Sequence, residues 1–195
     1  MAVATPEEVR RFWFGDGGWS NARLWFEAGT SLDEEVRERF GDTIEAALRG
    51  DLAHWAEDVH DRVALIVVLD QFTRHAFRGT PRFVAGDAAA QRHVLSLLDA
   101  GDDRHLASEE CLFLLTVLEH AEDRDLATRA RQEATRLGAI HADLSDMGRY
   151  VAEHADIIDR FGRFPDRNSI LGRPATTEEA AFLKTTHLAW FEAQE

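Results

Sequence analysis

Cysteine, proline and lysine are scarce in this sequence of 195 residues, and it contains no long uncharged apolar run. The single cysteine, Cys111, can form neither an internal disulfide nor a cysteine-based zinc site, and its apolar neighbours predict a small core residue. The longest uncharged apolar stretch, 111–118, is far shorter than a membrane span. Charged side chains within residues 1–14 argue against a secretory leader. We therefore expect a cytoplasmic protein.

Positive charge is also in deficit. The chain has 36 aspartates and glutamates against 22 lysines and arginines, which gives a net charge of −14. A surface of that sign repels nucleic-acid phosphates and anionic lipid, so we expect neither nucleic acid nor a membrane as a partner. Lys184 is the only lysine, and we attribute the abundance of arginine to genome composition. Only clustered arginines are therefore informative.

Strand-like alternation of apolar and polar residues is missing, whereas helix-start signals recur. Three pairs have the spacing of capping boxes: Thr5 with Glu8, Ser31 with Glu34, and Thr176 with Glu179. With 45% hydrophobic residues, the chain can bury a core as one domain, 1–195. These patterns predict an all-α protein with helices at about 6–14, 31–49, 61–76, 80–99, 108–122, 124–137, 144–162 and 176–191.

Two segments, 63–69 and 112–118, are apolar on every side of a helix. A helix tolerates this pattern only when neighbours surround it, so both segments are predicted to be central. A weak internal echo at a spacing of about fifty residues favours repeated helix pairs. We predict stacked antiparallel pairs in an array like that of tetratricopeptide repeats (TPR), with a closed bundle as the alternative. The pairs are 31–49 with 61–76, and 80–99 with 108–122.

Each of these apolar segments ends in a polar turn. If the helix pairs stack in register, the two turns meet at one end of the core and their charged groups are partly desolvated. The candidate ligand-binding residues are Asp70, Gln71, Arg74 and Arg78 after the first segment, and Glu119, His120 and Asp123 after the second. The alternative is structural: Asp70 pairs with Arg74, four residues on, and Glu119 pairs with an arginine of a neighbouring helix.

A third candidate element is an arginine-rich loop at 160–173. It carries four arginines and one aspartate, a local charge of +3 in an acidic chain. Glycines and prolines break the helix there, and convergent guanidinium groups suit a carboxylate or phosphate. We predict that Arg163 and Arg167 approach both polar turns; the alternative is that the loop only neutralises acids. The candidate ligand-binding residues are Arg160, Arg163, Arg167, Asn168 and Arg173.

His154 lies on an apolar helix face, which points its imidazole inward. We interpret it either as a hydrogen-bonded core residue or as a candidate ligand-binding or catalytic residue. We expect burial and Arg160 to lower the pKa of His154, whereas Glu119 and Glu122 should raise the pKa of His120. The spacings of the histidines and acids match no zinc signature, so we expect no metal and no cofactor.

Four motifs are separated along the chain. They are RFWFG at 11–15, LDQFTR at 69–74 with FRGTP at 77–81, LEHAED at 118–123, and RFGRFPDRN at 160–168 with ILGR at 170–173. This set resembles the bacterial family named domain of unknown function 924 over nearly the whole chain. The resemblance implies a single-domain helical fold similar to TPR arrays, and no established activity. Thr73 stands where the family usually has proline, and Asp166 where histidine is common, which argues against catalysis by that loop position.

Three functions are compatible with these residues. The first is a binding module that captures a small anionic molecule or a peptide carboxylate through the arginine-rich loop. The second is an acid–base enzyme of the hydrolase type that uses Glu119, His120 and His154, with Asp70 as a further acid. The third is a scaffold for a protein partner, to which helical arrays are well suited.

Overall fold

The computed structural model describes residues 2–27 and 30–186. In this part of the chain all regular secondary structure is helical and no strand is found, so the all-α prediction is confirmed. The α-helices are α1 (Pro6–Phe14), α2 (Ala22–Glu27), α3 (Thr30–Arg49), α4 (Val59–Val67), α5 (Thr73–Ala76), α6 (Asp87–Ala100), α7 (Ser108–Glu119), α8 (Arg124–Ile140), α9 (Met147–Phe161) and α10 (Thr177–Thr185).

The core is formed around α4 and α7, the two helices predicted to be central. Every side chain of 63–69 is buried, and in 112–118 only Thr116 is partly exposed. Leu115 is fully buried, and burial raises the pKa of the Cys111 thiol to about 12, as expected for a small core residue. Both burial predictions are confirmed. None of the helices in 2–27 and 30–186 is long and apolar enough to cross a bilayer.

The predicted helix 61–76 is not continuous. α4 ends at Val67, a π-helical turn follows over Val68–Phe72, and α5 completes the segment. Thr73 Oγ1 lies 2.8 Å from the carbonyl oxygen of Leu69 and 3.0 Å from that of Asp70, so it donates to the backbone where the helical register changes. Single π-turns inside helices occur frequently at functional sites. This π-turn carries Asp70.

Gly86 allows the start of α6 to approach the π-turn closely. A Cβ atom at this position would lie 2.0 Å from the carbonyl oxygen of Leu69, so any side chain would push the two segments apart. Because the first turn of α6 lies beside the π-turn, its Asp87 comes within reach of Arg74.

The other helices begin and end within about one turn of the predicted positions, with two exceptions. The predicted helix 80–99 is divided into a 3-10 turn, Pro81–Val84, and α6. In the predicted helix 176–191, α10 ends at Thr185, and residues from 187 onward lie outside the described ranges. The short helix α2 is missed by the sequence patterns.

Helix contacts agree with both predicted pairs. α3 packs on the π-turn and α5, and α6 packs on α7. α7 also contacts α8, which in turn packs on α9. Of the three predicted capping boxes, Thr5 with Glu8 and Thr176 with Glu179 are present. The third is wrong, because α3 begins at Thr30 and Ser31 therefore lies inside the helix. A repeat arrangement like that of TPR proteins stays a prediction.

Candidate functional site

Asp70 is at the centre of a buried polar cluster that joins the π-turn to the end of α7. Its side chain is buried, and both carboxylate oxygens lie 3.0 Å from Nδ1 of His120. Gln71 Nε2 donates to Asp70 Oδ2 at 2.6 Å, and Arg74 Nη1 lies 2.9 Å from Oδ1. Burial opposes ionisation, but the charge of Arg74 and the contact with His120 bring the pKa of Asp70 well below its usual range. The prediction that the two polar turns meet is confirmed.

Arg74 forms a second, bidentate ion pair with Asp87. Its Nη1 donates to Asp87 Oδ1 at 2.8 Å and its Nη2 donates to Oδ2 at 3.0 Å. Burial raises the pKa of Asp87 against the effect of Arg74, and the nearby charge of Asp70 raises it further. Sequence reasoning missed Asp87, because an acid in the first turn of a helix is ordinarily explained by the helix dipole. Arg74 is thus fully occupied by two protein carboxylates.

The predicted rise in the pKa of His120 is wrong. Neither Glu119 nor Glu122 contacts its ring; burial and the charge of Arg74 lower its pKa and outweigh the opposing effect of Asp70. Because the ionised carboxylate of Asp70 can only accept hydrogen bonds, Nδ1 of His120 carries the hydrogen. In the neutral imidazole, Nε2 then has the lone pair. The His120 side chain is 20% exposed.

Glu119 pairs with His154 rather than with an arginine. Its Oε2 lies 3.3 Å from His154 Nδ1, which also donates to the carbonyl oxygen of Tyr150 at 2.9 Å. Burial, with the charge of Asp70, raises the pKa of Glu119 to about 8. Its Oε1 is buried and has no hydrogen-bond partner among the described residues.

His154 points inward as predicted, with 14% of its side chain exposed. Burial lowers its pKa, and the charge of Arg167 adds to the effect. The predicted direction of the shift is confirmed, although Arg167 and not Arg160 contributes to it. Because His120 and His154 both have lowered pKa values, the two imidazoles are not tuned in opposite directions.

Arg167 closes the cluster from the 3-10 turn Pro165–Arg167 that follows α9. It is 8% exposed; its Nη1 donates to the carbonyl oxygen of His120 at 2.9 Å, and its guanidinium carbon lies 4.3 Å from the ring centre of Phe164. Burial and the charge of Arg74 lower its pKa. Within 2–27 and 30–186, no carboxylate forms an ion pair with Arg167. The predicted approach of Arg167 to the end of α7 is confirmed.

The two sequence neighbours of Arg167 have unpartnered polar atoms. Oδ1 of Asp166 and Nδ2 of Asn168 are buried and have no hydrogen-bond partner in the described parts of the chain. Burial raises the pKa of Asp166. Arg173 is paired with Glu122 and also donates to Asn168 Oδ1 at 3.0 Å, which fixes the loop against the residues that follow α7.

Four predicted site residues lie outside this cluster. Arg160 and Arg163 pair with acids of α10, Glu178 and Glu179, so the predicted approach of Arg163 to the two polar turns is not found. Arg78 pairs with Asp33 of α3, and Asp123 caps α8 by accepting from the amides of Asp125 and Leu126. The three arginines pair with nearby carboxylates, and Asp123 accepts from backbone amides. Arg160 and Arg163 therefore do not join Arg167 in the cluster. The outlying predicted residues are therefore Arg78, Asp123, Arg160 and Arg163.

The described residues contain no group of three or more histidine, cysteine, aspartate or glutamate side chains placed to hold a metal ion. The acids and histidines of the cluster instead contact one another in pairs: Asp70 with His120, and Glu119 with His154.

Comparison with known proteins gives two matches. The model of a bacterial protein family of unknown function, DUF924, matches residues 9–187. A solved structure of a protein of unknown function from Agrobacterium tumefaciens is similar with a TM-score of 0.81 and 32% sequence identity, over 93% of this chain and 97% of that one. No curated protein matches the chain.

Proposed function

This chain belongs to the DUF924 family of bacterial proteins of unknown function, and we propose that it binds a small anionic molecule whose carboxylate or phosphate pairs with Arg167. The observation that carries this proposal is the state of Arg167: a nearly buried guanidinium that has no carboxylate partner in the described residues. In the described residues its guanidinium makes one hydrogen bond, to the carbonyl oxygen of His120, so the other donors are available to a carboxylate or phosphate.

The other guanidinium groups near Arg167 are paired with carboxylates. Arg74 is neutralised by Asp70 and Asp87, and Arg173 by Glu122. Both histidines of the cluster have lowered pKa values and are neutral at pH 7, and Glu119 with its raised pKa keeps its proton. The guanidinium of Arg167 has no carboxylate at ion-pair distance in the described residues, although the charges of Asp87, Asp166 and Glu122 act on it from farther away.

Asn168 adds a second contact of the right kind. Its buried Nδ2 has no acceptor in the described residues, and an oxygen of a carboxylate or phosphate could accept from it. Exposure of the cluster is small, 20% for His120 and 15% for Arg74. This favours a small molecule over a peptide carboxylate.

Calorimetric titration with acetate, phosphate and sulfate tests the proposal. We expect saturable binding to the wild-type protein and loss of that binding in Arg167→Gln. Arg160→Gln is the matched control, because Arg160 is also a loop arginine but pairs with Glu178 outside the cluster. No saturable binding by the wild type, or equal binding by R167Q and the wild type, would refute the proposal. Circular dichroism establishes that each variant is folded.

A second function, acid–base catalysis, is favoured by one specific observation. Consecutive residues offer complementary groups: the Nε2 lone pair of His120 and the proton of Glu119. In ester hydrolysis, His120 would take a proton from water, whose oxygen attacks the acyl carbon. The ester C–O bond then breaks, and the leaving oxygen takes the proton of Glu119.

Hydrolysis of 4-acetoxybenzoate, which carries both a carboxylate and an ester, tests this second function. We expect the wild type to act faster on it than on its uncharged methyl ester, and His120→Gln to lose at least about 100-fold in rate. If the wild type binds anions but does not hydrolyse the ester, only the binding function is supported. If it does neither, the scaffold for a protein partner is favoured.

A further inference from the structure

A separate cleft, which we name the α6 cleft, lies between the end of α3, α4 and α6. Its volume is about 280 Å³, close to the lower limit of small-molecule sites, about 300 Å³. Leu52, Leu65 and Leu69 line it and are buried, so its floor is apolar. None of the described residues of the polar cluster lines this cleft. It therefore offers room for a small ligand that has a hydrocarbon part.

One face of α6 supplies polar groups to the α6 cleft. Ala89, Arg92 and His93 all line it, and their spacing of three and four residues places them on the same side of the helix. Arg92 is exposed and forms no ion pair with a carboxylate in residues 2–27 and 30–186. Its guanidinium donors are therefore available at the edge of an apolar floor.

The α6 cleft has a positive charge in an acidic protein. Two arginines line it, Arg49 and Arg92, and no aspartate or glutamate of the described chain does. Arg49 is held in an exposed ion pair with Asp51, so Arg92 carries the charge that no neighbour neutralises. Burial lowers the pKa of His93, and the charges of Arg62 and Arg92 lower it further. His93 is thus neutral at pH 7 and adds no charge, and an anionic head group complements the cleft.

We propose that the α6 cleft binds a monocarboxylate with a short aliphatic chain, whose carboxylate accepts from Arg92 and whose chain lies on Leu65 and Leu69. The chain gains free energy by leaving water for the apolar floor, which inorganic phosphate or sulfate cannot do. The carboxylate pairs with a guanidinium in the geometry that both groups favour. This site is distinct from Arg167, and the inference does not rest on the proposed function.

Calorimetric titration with butyrate, hexanoate and 1-hexanol tests the two parts of the ligand separately. We expect saturable binding of hexanoate by the wild type, with a dissociation constant that decreases by about fourfold for each methylene group added between butyrate and hexanoate. 1-Hexanol has a chain of the same length without the charge. It should bind at least about tenfold more weakly than hexanoate, because hydrogen bonds to charged groups are the stronger ones.

Arg92→Gln removes the proposed partner of the carboxylate and should weaken hexanoate binding at least about tenfold. Arg149→Gln is the matched control, because Arg149 on α9 is also exposed and has no ion pair in the described parts of the chain. We expect R149Q and R167Q to bind hexanoate as the wild type does. Circular dichroism establishes that the variants are folded.

Ala89→Leu tests the apolar part of the α6 cleft by filling it with a larger side chain. We expect it to weaken hexanoate binding at least about tenfold, more than it weakens the binding of butyrate. Ala88→Leu is its control, because Ala88 is exposed and does not line the cleft. Thermal unfolding of both variants separates blocked binding from loss of the fold.

Three results would overturn this inference. The first is no saturable binding of hexanoate by the wild type, or equal affinities for butyrate and hexanoate. The second is unchanged hexanoate binding in R92Q. The third is loss of hexanoate binding in R167Q with retention in R92Q, which would place the carboxylate in the polar cluster. None of these results affects the titrations that test the proposed function, so the two proposals fail independently.

Discussion

Two buried acids of the cluster, Asp70 and Glu119, have opposite protonation states at neutral pH. Asp70 is ionised because Arg74 and His120 compensate for its burial, which lowers its pKa. Glu119 has no cation in contact, so burial dominates and raises its pKa to about 8. At the scale of single residues, the difference comes from which partner each carboxylate meets and not from the degree of burial.

We expect Glu119→Gln to flatten the pH dependence of the unfolding free energy between about pH 5 and pH 8. Because the folded-state pKa is raised, to about 8, Glu119 contributes stability that is fully present below its unfolded pKa of about 4.3 and is lost as pH rises through 8. A glutamine has no such titration. Urea unfolding of both proteins at the two pH values gives the comparison, and identical pH dependence would contradict the raised pKa.

Asp70→Asn should reduce the unfolding free energy by about 3 kcal/mol, because it removes one partner of a buried ion pair. It should also lower the pKa of Glu119, since the Asp70 charge is one of the two causes that raise it. Urea unfolding and carbon NMR titration measure the two effects. Asp51→Asn, in an exposed pair with Arg49, is the control and should change stability by less than about 1 kcal/mol. A folded D70N with an unchanged Glu119 pKa would exclude this coupling.

At the scale of elements, the π-turn and the start of α6 form one unit. The π-turn holds Asp70, and α6 holds Asp87, and both carboxylates meet on Arg74. This arrangement depends on the close approach of Gly86 to the carbonyl group of Leu69.

Gly86→Ala should lower the unfolding free energy by about 1 to 3 kcal/mol, because a Cβ at 2.0 Å from the Leu69 oxygen forces the segments apart. It should also weaken anion binding, since the Asp87–Arg74 pair is displaced. Gly41→Ala in α3 is the control, because no heavy atom lies within 4 Å of the added Cβ. An alanine there should increase stability by about 0.5 to 1 kcal/mol. Equal effects of the two substitutions on thermal unfolding would argue against the close approach.

At the scale of the whole molecule, stability depends on the core around α4 and α7. Leu115→Ala should cost about 2 to 5 kcal/mol of unfolding free energy, through lost burial and the cavity left behind. Leu183→Ala on α10, at a position 37% exposed, should change it by about 0.5 kcal/mol or less. Urea unfolding measures both, and a small effect at Leu115 would show that α7 is not central.

The sequence by itself determined the helical fold, the two central helices and three of the segments that contribute to the cluster. These features depend on local physics: hydrophobic period, capping residues and the abrupt change from apolar to polar at Asp70 and Glu119. The inward orientation of His154 also follows from its helix face. Three of the four motifs on which the family resemblance rests lie in these segments.

Only the tertiary structure decided which charges meet. The loop arginines look equivalent in sequence. In the structure Arg163 forms an ion pair with Glu179 on α10, whereas Arg167 donates to the carbonyl oxygen of His120 in the cluster. The pKa of His120 is lowered by burial and by the charge of Arg74. Neither cause can be inferred from the acids that neighbour His120 in the sequence. The π-turn and the contact of Asp87 with Arg74 likewise depend on packing across the chain. Coulomb interactions and desolvation act through space, so sequence neighbours cannot determine them.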